Sequence, residues 1–324
     1  MKKIRWGIAG PGKIAKKFAK AVLNLDCCEL VAVASRSAER AEEFSKQFGI
    51  PNVFSSYEEM LKSDVEAIYV ATDISTHCDI SIDCLNAGKH VLCEIPNIAN
   101  EEDAKRLKEA VVANPKQKFM VAENCCYWAF IESWKEMYEK GLLGEIVYAE
   151  SDYLHKHKST LVDGKLGWRA YLSSITYLTH NLGPLLYILD DKCVSVSCMR
   201  TDIMYNPYKK IPKTDVAIFK TAKGAVIKIL ISFGAYHGFD HNFSIFGTRG
   251  TLETDITKPL EKAHTFARFA DVPGTLEEKM EIPIRLKKPN EPWDEHGGAD
   301  RKMVLDFIRC IIEDTPSPVD VDLA

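Results

Sequence analysis

The chain has 324 residues, 46% hydrophobic and 27% charged, with 42 Lys and Arg against 46 Asp and Glu for a formal net charge of −4. That composition excludes fibrous, collagen-like and disordered chains. The balance also lacks the cationic excess that a nucleic-acid backbone or an anionic lipid surface demands, so neither nucleic acid nor membrane is expected as a partner.

At roughly 150 residues per domain, the length predicts two domains, each able to bury its own core. The start, Met1-Lys2-Lys3-Ile4-Arg5-Trp6-Gly7, carries lysines, but Arg5, Gly10 and Pro11 interrupt any apolar run, which predicts no signal peptide and a cytoplasmic protein. The 10 cysteines include two adjacent pairs, Cys27-Cys28 and Cys125-Cys126, and no C-x-x-C spacing. They read as reduced, buried small hydrophobes rather than disulfides or metal ligands.

From the N-terminus, short apolar runs alternate with amphipathic stretches. Strands are predicted at 4–9, 29–34, 67–71, 90–94 and 119–122, with helices at 13–25, 37–48, 76–87 and 101–113. This rhythm predicts an α/β domain over 1–123, built on a doubly wound parallel sheet.

After Glu123 the pattern changes to a helix at 128–140 and strands at 145–154, 193–201, 214–222, 225–233, 243–246 and 251–254. A helix-rich stretch at 168–189 interrupts them, and a helix at about 297–314 closes the chain before Pro316 and Pro318. The expectation is a second, α+β domain over 124–324 on an open-faced, mostly antiparallel sheet, the last helix included.

The first strand runs into Gly10-Pro11-Gly12-Lys13-Ile14-Ala15, a G-x-G-x-x-A turn that opens a helix. Gly10 permits the tight turn, Gly12 lets the backbone approach a pyrophosphate, and Ala15 lets helix and strand pack closely. The helix end then offers N–H groups and a partial positive charge to the anion. The second strand ends Val33-Ala34-Ser35-Arg36, with no carboxylate where an NAD site places one for the ribose 2′-hydroxyl. Ser35 and Arg36 can instead receive a 2′-phosphate, so the cofactor reads as NAD(P) with a slight lean to NADP.

With these pieces the chain resembles the Gfo/Idh/MocA family, named for glucose-fructose oxidoreductase and inositol dehydrogenase. The matching segments are the Gly10–Ala15 turn, Ala71-Thr72 with His77, Cys93-Glu94-Ile95-Pro96, Phe246–Glu253 and His296-Gly297-Gly298-Ala299-Asp300. The resemblance implies an N-terminal Rossmann domain and a dinucleotide contacted by Gly10, Gly12, Lys13, Ile14, Ser35, Arg36, Ala71, Thr72, His77, Glu94 and Ile95. It also implies a carbohydrate substrate and homo-oligomers, dimers or tetramers, formed through the open sheet face.

Two positions depart from the family pattern. Ile95 stands where the family's Glu-Lys-Pro segment supplies a lysine, and an isoleucine cannot move a proton. Thr176 stands where an aspartate usually precedes the catalytic histidine, leaving His180 alone. Segments such as Glu123–Tyr127 and Tyr177–Pro184 are similar to a branch containing redox-neutral, NAD-dependent glycoside hydrolases, which also lack the lysine.

His180 is the expected acid/base, since a neutral imidazole can take a hydroxyl proton near neutral pH. Tyr177, three residues earlier, and Tyr127, after the fifth strand, are the other expected catalytic residues. Tyr153, His155, Trp168 and Arg169 are assigned, with His180, to substrate: the indole to stack on a sugar, the guanidinium to bind hydroxyls or phosphate. His155 with His157, and His237 with His241, have spacings that can hold a metal, but no completing ligand lies nearby in sequence and no metal site is assigned.

The function expected is an NAD(P)-dependent oxidoreductase acting on a secondary alcohol of a sugar, polyol or glycoside. The first alternative is a redox-neutral glycoside hydrolase or lyase working by oxidation at C3, elimination and re-reduction. The second is a catalytically inactive nucleotide-binding protein.

Overall fold

A computed structural model describes residues 3–154, 171–204, 212–254, 264–283 and 298–322, together with the backbone of 161–162 and 165–166. The chain divides into two compact units, one made of Met1–Tyr127 with Asn290–Ala324, the other of Trp128–Pro289.

The first unit holds strands β1 (Ile4–Ala9), β2 (Cys28–Ala34), β3 (Asn52–Phe54), β4 (Ala67–Val70), β5 (His90–Cys93) and β6 (Phe119–Val121). They form one parallel sheet in the order β3-β2-β1-β4-β5-β6. Four of the strands read as nearly unbroken apolar runs because helices cover both faces of such a sheet; all four residues of β4 are buried.

The helices are α1 (Lys13–Leu23), α2 (Ala38–Phe48), α3 (Tyr57–Leu61), α4 (His77–Asn86) and α5 (Glu101–Ala113). Their starts follow local chemistry. The side chains of Ser37, Ser56 and Asn100 accept from the amides of Arg40, Glu59 and Asp103, satisfying donors that the helix leaves open. The sequence reading misses β3 and α3, because β3 has only three residues and none is buried.

The last helix corrects the expected domain division. It spans Ala299–Glu313, and its buried face of Met303, Val304, Phe307 and Ile308 belongs to the first unit, not the second. Phe307 meets Trp6 of β1 with ring centroids 5.7 Å apart, and Trp6 in turn meets Phe18 of α1 edge-on at 5.1 Å. Beyond the helix, Val319 accepts from the amide of Val121, extending the edge at β6. The amphipathic face was legible in the sequence; the sheet it covers was not. Phe307→Ala is therefore expected to destabilise the first unit by about 3 kcal/mol or more, measured by urea unfolding.

The second unit contains α6 (Ala129–Glu139), β7 (Ile146–Leu154), the short pair β8 (Leu161–Val162) and β9 (Lys165–Leu166), and α7 (Thr179–Leu189). It continues with β10 (Cys193–Arg200), β11 (Thr214–Thr221), β12 (Val226–Ser232), β13 (Asp240–Gly247), β14 (Gly250–Thr254), β15 (Thr265–Phe269) and β16 (Met280–Ile282), while the closing helix of the first unit is α8. Eight strands form a sheet in the order β10-β11-β12-β7-β13-β14-β15-β16, antiparallel throughout except for β12 beside β7.

Side chains alternate across this sheet. Ala149, Ser151 and Tyr153 of β7 are buried, whereas Tyr148, Glu150 and Asp152 lie on the other face, where Lys228 reaches Glu150 at 2.9 Å. Helices α6 and α7 cover the buried face: Trp134 donates its indole N–H to Thr265 (3.2 Å), and Asn181 donates its side-chain amide to Ser151 (2.6 Å). Among the described residues, no helix is long and apolar enough to cross a membrane.

Candidate active site

In the first unit the strand order reverses between β1 and β4, and open α/β sheets bind ligands at the carboxyl ends of such strands. Three loop starts are tied together there. Gly10 donates to Ala34, Ala71 donates to Ala9, and Glu94 donates to Val70.

The two glycines of the turn have different reasons to be glycine. Gly10 has a φ of +94°, and a Cβ there would lie 2.6 Å from the carbonyl oxygen of Ala71, so the fold itself requires it. Gly12 has extended backbone, and a Cβ there would meet nothing closer than 4.0 Å. Its smallness serves no protein contact, which leaves room for a ligand to reach the backbone. Gly12 also begins α1 without a side-chain cap or any acidic residue in the first turn, leaving the amides of an anion site uncontested. Ala15 is fully buried, while Lys13 is exposed and Ile14 partly so.

The remaining expected dinucleotide residues sort into two groups. Ser35 is partly exposed, and its hydroxyl accepts from the amide of Ser37 (3.1 Å), which leaves its own proton to donate; Arg36 beside it is exposed. Thr72 is also partly exposed and shares a hydroxyl hydrogen bond with Thr76 (2.8 Å). His77, by contrast, is only 2% exposed. Its Nδ1 lies 2.8 Å from the carbonyl of Pro96 and its Nε2 3.2 Å from that of Thr72, so it joins the loops after β4 and β5 rather than facing a ligand. Burial lowers its pKa, and the neutral ring donates one proton, at the shorter contact.

Glu94 follows β5 and bonds to the phenol of Tyr69, while Ile95 donates its amide back to the same carboxylate (3.3 Å). Tyr69 stacks on Phe18 at 3.8 Å. Burial pushes the Glu94 carboxyl up to about 7; the Tyr69 bond opposes that shift, and the charges of Asp300 and Glu123 reinforce it. Tyr69, invisible to the sequence reading because it looks like any core residue of a buried strand, is thus the partner that orients this carboxylate.

The raised pKa has a stability consequence. The folded chain holds the Glu94 proton more tightly than the unfolded chain, so stability falls as pH rises from about 4.5 through about 7. Glu94→Gln is expected to remove that slope and to be more stable than the parent above this range by about 1–3 kcal/mol, a figure reduced for the residue's partial exposure. Urea midpoints on either side of the range check it.

Tyr127 belongs to the first unit and is 3% exposed. Its hydroxyl lies 3.8 Å from the sulfur of Met120, and the ammonium of Lys302 lies 6.0 Å from its ring centre. Close by in sequence, Glu123 accepts from the amide of Cys125 (3.1 Å) and Asn124 donates to Asp300 (2.9 Å).

The second unit brings three of the expected residues together. His180, in the first turn of α7, lies 5.9 Å from Tyr153 and 5.8 Å from Tyr177, ring centre to ring centre. Tyr177 sits at the end of a 3₁₀ turn, Ser174–Tyr177, with Phe233 edge-on at 5.3 Å. His155, Trp168 and Arg169 lie outside the described residues.

A fourth ring joins them. His241 of β13 pairs directly with Tyr153 of β7 and stacks on it at 4.6 Å and 25°. It lies 6.4 Å from His180, edge-on. Burial and the nearby His180 drive its pKa well below the ordinary histidine value, so this second imidazole is neutral. In the sequence His241 stands out only through its spacing from His237, as half of a metal pair. The overlooked signal is the alternation His241-Phe243-Ile245, which carries the strand back past Phe243 and turns all three inward.

Comparison with known proteins agrees with this layout. Residues 4–123 match the model of an oxidoreductase family with an NAD-binding Rossmann fold, and residues 131–253 match that of the GFO/IDH/MocA C-terminal domain. A protein named glycosyl hydrolase family 109 protein 2, from Phocaeicola vulgatus, is 32% identical over 56% of this chain and 48% of its own length. Mouse trans-1,2-dihydrobenzene-1,2-diol dehydrogenase is 36% identical over 46% of each chain. The chain thus spans about half the length of each of these relatives. A levoglucosan dehydrogenase solved with NADH and levoglucosan shares the fold, with a TM-score of 0.82 and 20% identity over 99% of this chain and 94% of that one. With family models covering both the nucleotide-binding and the C-terminal parts, the chain belongs to the Gfo/Idh/MocA oxidoreductase family.

Proposed function

We propose that the chain is a cytoplasmic NAD(P)-dependent oxidoreductase that acts on a secondary alcohol of a sugar, polyol or glycoside, with His180 moving the hydroxyl proton. The observation that carries this reading is the His180 cluster, an imidazole held among Tyr153, Tyr177 and His241, in a chain whose other unit has an uncapped helix end behind a glycine turn.

The first unit fits a dinucleotide. Gly12 leaves backbone room, the start of α1 offers amides without a competing carboxylate, and Ser35 and Arg36 stand partly or fully exposed at the end of β2. A hydroxyl donor and a guanidinium, with no carboxylate, favour a 2′-phosphate over a 2′-hydroxyl, hence the slight lean to NADP. When bound, the nicotinamide supplies the hydride acceptor for the carbinol carbon.

His180 accepts the hydroxyl proton as the carbinol C–H is lost, and returns it in the reverse direction. Tyr177 donates a hydrogen bond to the substrate oxygen and so holds it in reach of the imidazole. Tyr153 and Phe233 give an apolar wall suited to the C–H face of a sugar ring. Glu94, with a pKa near neutrality, orients a hydroxyl or amide in the first unit. The open sheet face carrying Glu150 and Lys228 serves a second copy of the chain in a dimer or tetramer.

The redox-neutral glycosidase is the second reading, favoured by Ile95 and by the family 109 relative. Here the same histidine works on the C3 hydroxyl, oxidation acidifies the neighbouring C–H, the glycosidic group leaves, and water adds before re-reduction. Native mass spectrometry of the purified chain separates the two. A dinucleotide lost on gentle buffer exchange, and regained more tightly from NADP(H) than from NAD(H), fits the oxidoreductase. Tight retention of NAD+ favours the second reading.

A further inference from the structure

We infer that Asp215 is a positioning residue for this reaction: its buried carboxylate fixes the turn that carries Tyr177 and leads into the helix bearing His180. The inference rests on the reading that Tyr177 and His180 act on the substrate.

Asp215, in β11, is fully buried. One carboxylate oxygen accepts from the amide of Ile175 (3.0 Å) and the hydroxyl of Ser173 (3.2 Å), and the other accepts from Nε of Arg200 (2.7 Å) in β10. The turn Ser174–Tyr177 lacks a cap of its own, since the Ser173 side chain does not bond forward to an amide. A carboxylate from the neighbouring strand takes that place.

Two further bonds fix the same stretch. Arg200 also donates to the Ser173 hydroxyl, and Lys213, only 2% exposed, donates its ammonium to the carbonyl of Leu172. At the far end Asn181 is tied to Ser151 of β7. Tyr177 and His180 therefore lie on a short stretch held at both ends by bonds to the sheet.

The choice of charged groups argues for placement rather than stability. Asp215 is buried while the Arg200 side chain stays 40% exposed, so the pair adds little net stability: the carboxylate loses its water and gains a partner that solvent still screens. What it supplies is direction: the carboxylate has one orientation that satisfies Arg200, Ser173 and Ile175 together. A turn of four residues has too few internal bonds to set its own course.

The test uses the full chain and Asp215→Asn, which keeps the shape and removes the charge. With the compound turned over fastest in a panel of polyols, aldoses, levoglucosan and p-nitrophenyl glycosides, kcat is expected to fall roughly ten- to hundred-fold, with KM changed by less than about threefold. Dinucleotide affinity stays at the parent value, and in a His180→Ala background Asp215→Asn adds no further loss.

A kcat within about twofold of the parent, where His180→Ala alone removes turnover, overturns the inference and leaves the reading of the site standing. Unchanged turnover in His180→Ala overturns both. Should Asp215→Asn not fold, Ser173→Ala at the partly exposed end of the network is expected to lower kcat in the same direction and to speed amide exchange at Ile175. Unchanged exchange and unchanged kcat overturn the inference.

Discussion

His180→Ala is expected to lower kcat by about a hundred- to ten-thousand-fold while leaving dinucleotide affinity unchanged. The residue stands among aromatic rings, with Tyr153 at 5.9 Å, Tyr177 at 5.8 Å and His241 at 6.4 Å. The imidazole beside it, His241, is buried against Tyr153 and so is poorly placed to take over the transfer. Steady-state kinetics on the best panel compound, beside a fluorescence titration with reduced dinucleotide, separates the two effects. The variant also decides against a nucleotide-binding protein without catalysis, which would keep its function unaltered.

The second large effect is expected at the glycine turn, where substitutions at Gly10 and Gly12, on either side of Pro11, should behave differently. Gly10→Ala sets a Cβ 2.6 Å from the Ala71 carbonyl oxygen at a φ of +94°. Backbone strain of this kind costs about 1–3 kcal/mol, and the clash adds to it, so the variant is expected to lose stability and, by moving the loop after β4, dinucleotide affinity as well. Gly12→Ala meets no protein atom within contact distance and is expected to stay within about 0.5 kcal/mol of the parent. Its affinity should nonetheless fall, because the methyl occupies space left for the pyrophosphate. Urea unfolding and dinucleotide titration of both variants check the contrast.

What the sequence revealed and what it hid divide along the range of the interaction concerned. The Gly10–Ala15 turn was legible because its determinants lie within six residues and act on the local backbone. The strands of the first unit were legible as apolar runs, except β3, which buries nothing. The closing helix was legible as a helix, but its attachment to Trp6 and α1 spans nearly the whole chain and leaves no local mark.

The candidate site shows the same limit. Tyr177 and His180 stand three residues apart and carry a family segment, so they could be named. Tyr153 could be named as well, but its stacking partner His241 comes from a strand whose register is set by pairing between β7 and β13. His77 matched the family pattern but proved buried between two carbonyls, a distinction between contact and support that residue type cannot express. Asp215 had no signal at all, being one acidic residue in a strand until the fold carries it to Ile175.

The most direct test of the central claim is absorbance at 340 nm during incubation of the purified chain with NAD+ or NADP+ and the carbohydrate panel, beside His180→Ala. The account predicts a steady rise with at least one secondary alcohol, dependent on added dinucleotide and lost in the variant. No rise with any alcohol, together with cleavage of a glycoside that brings solvent deuterium to sugar C2, would contradict it and establish the redox-neutral reaction instead.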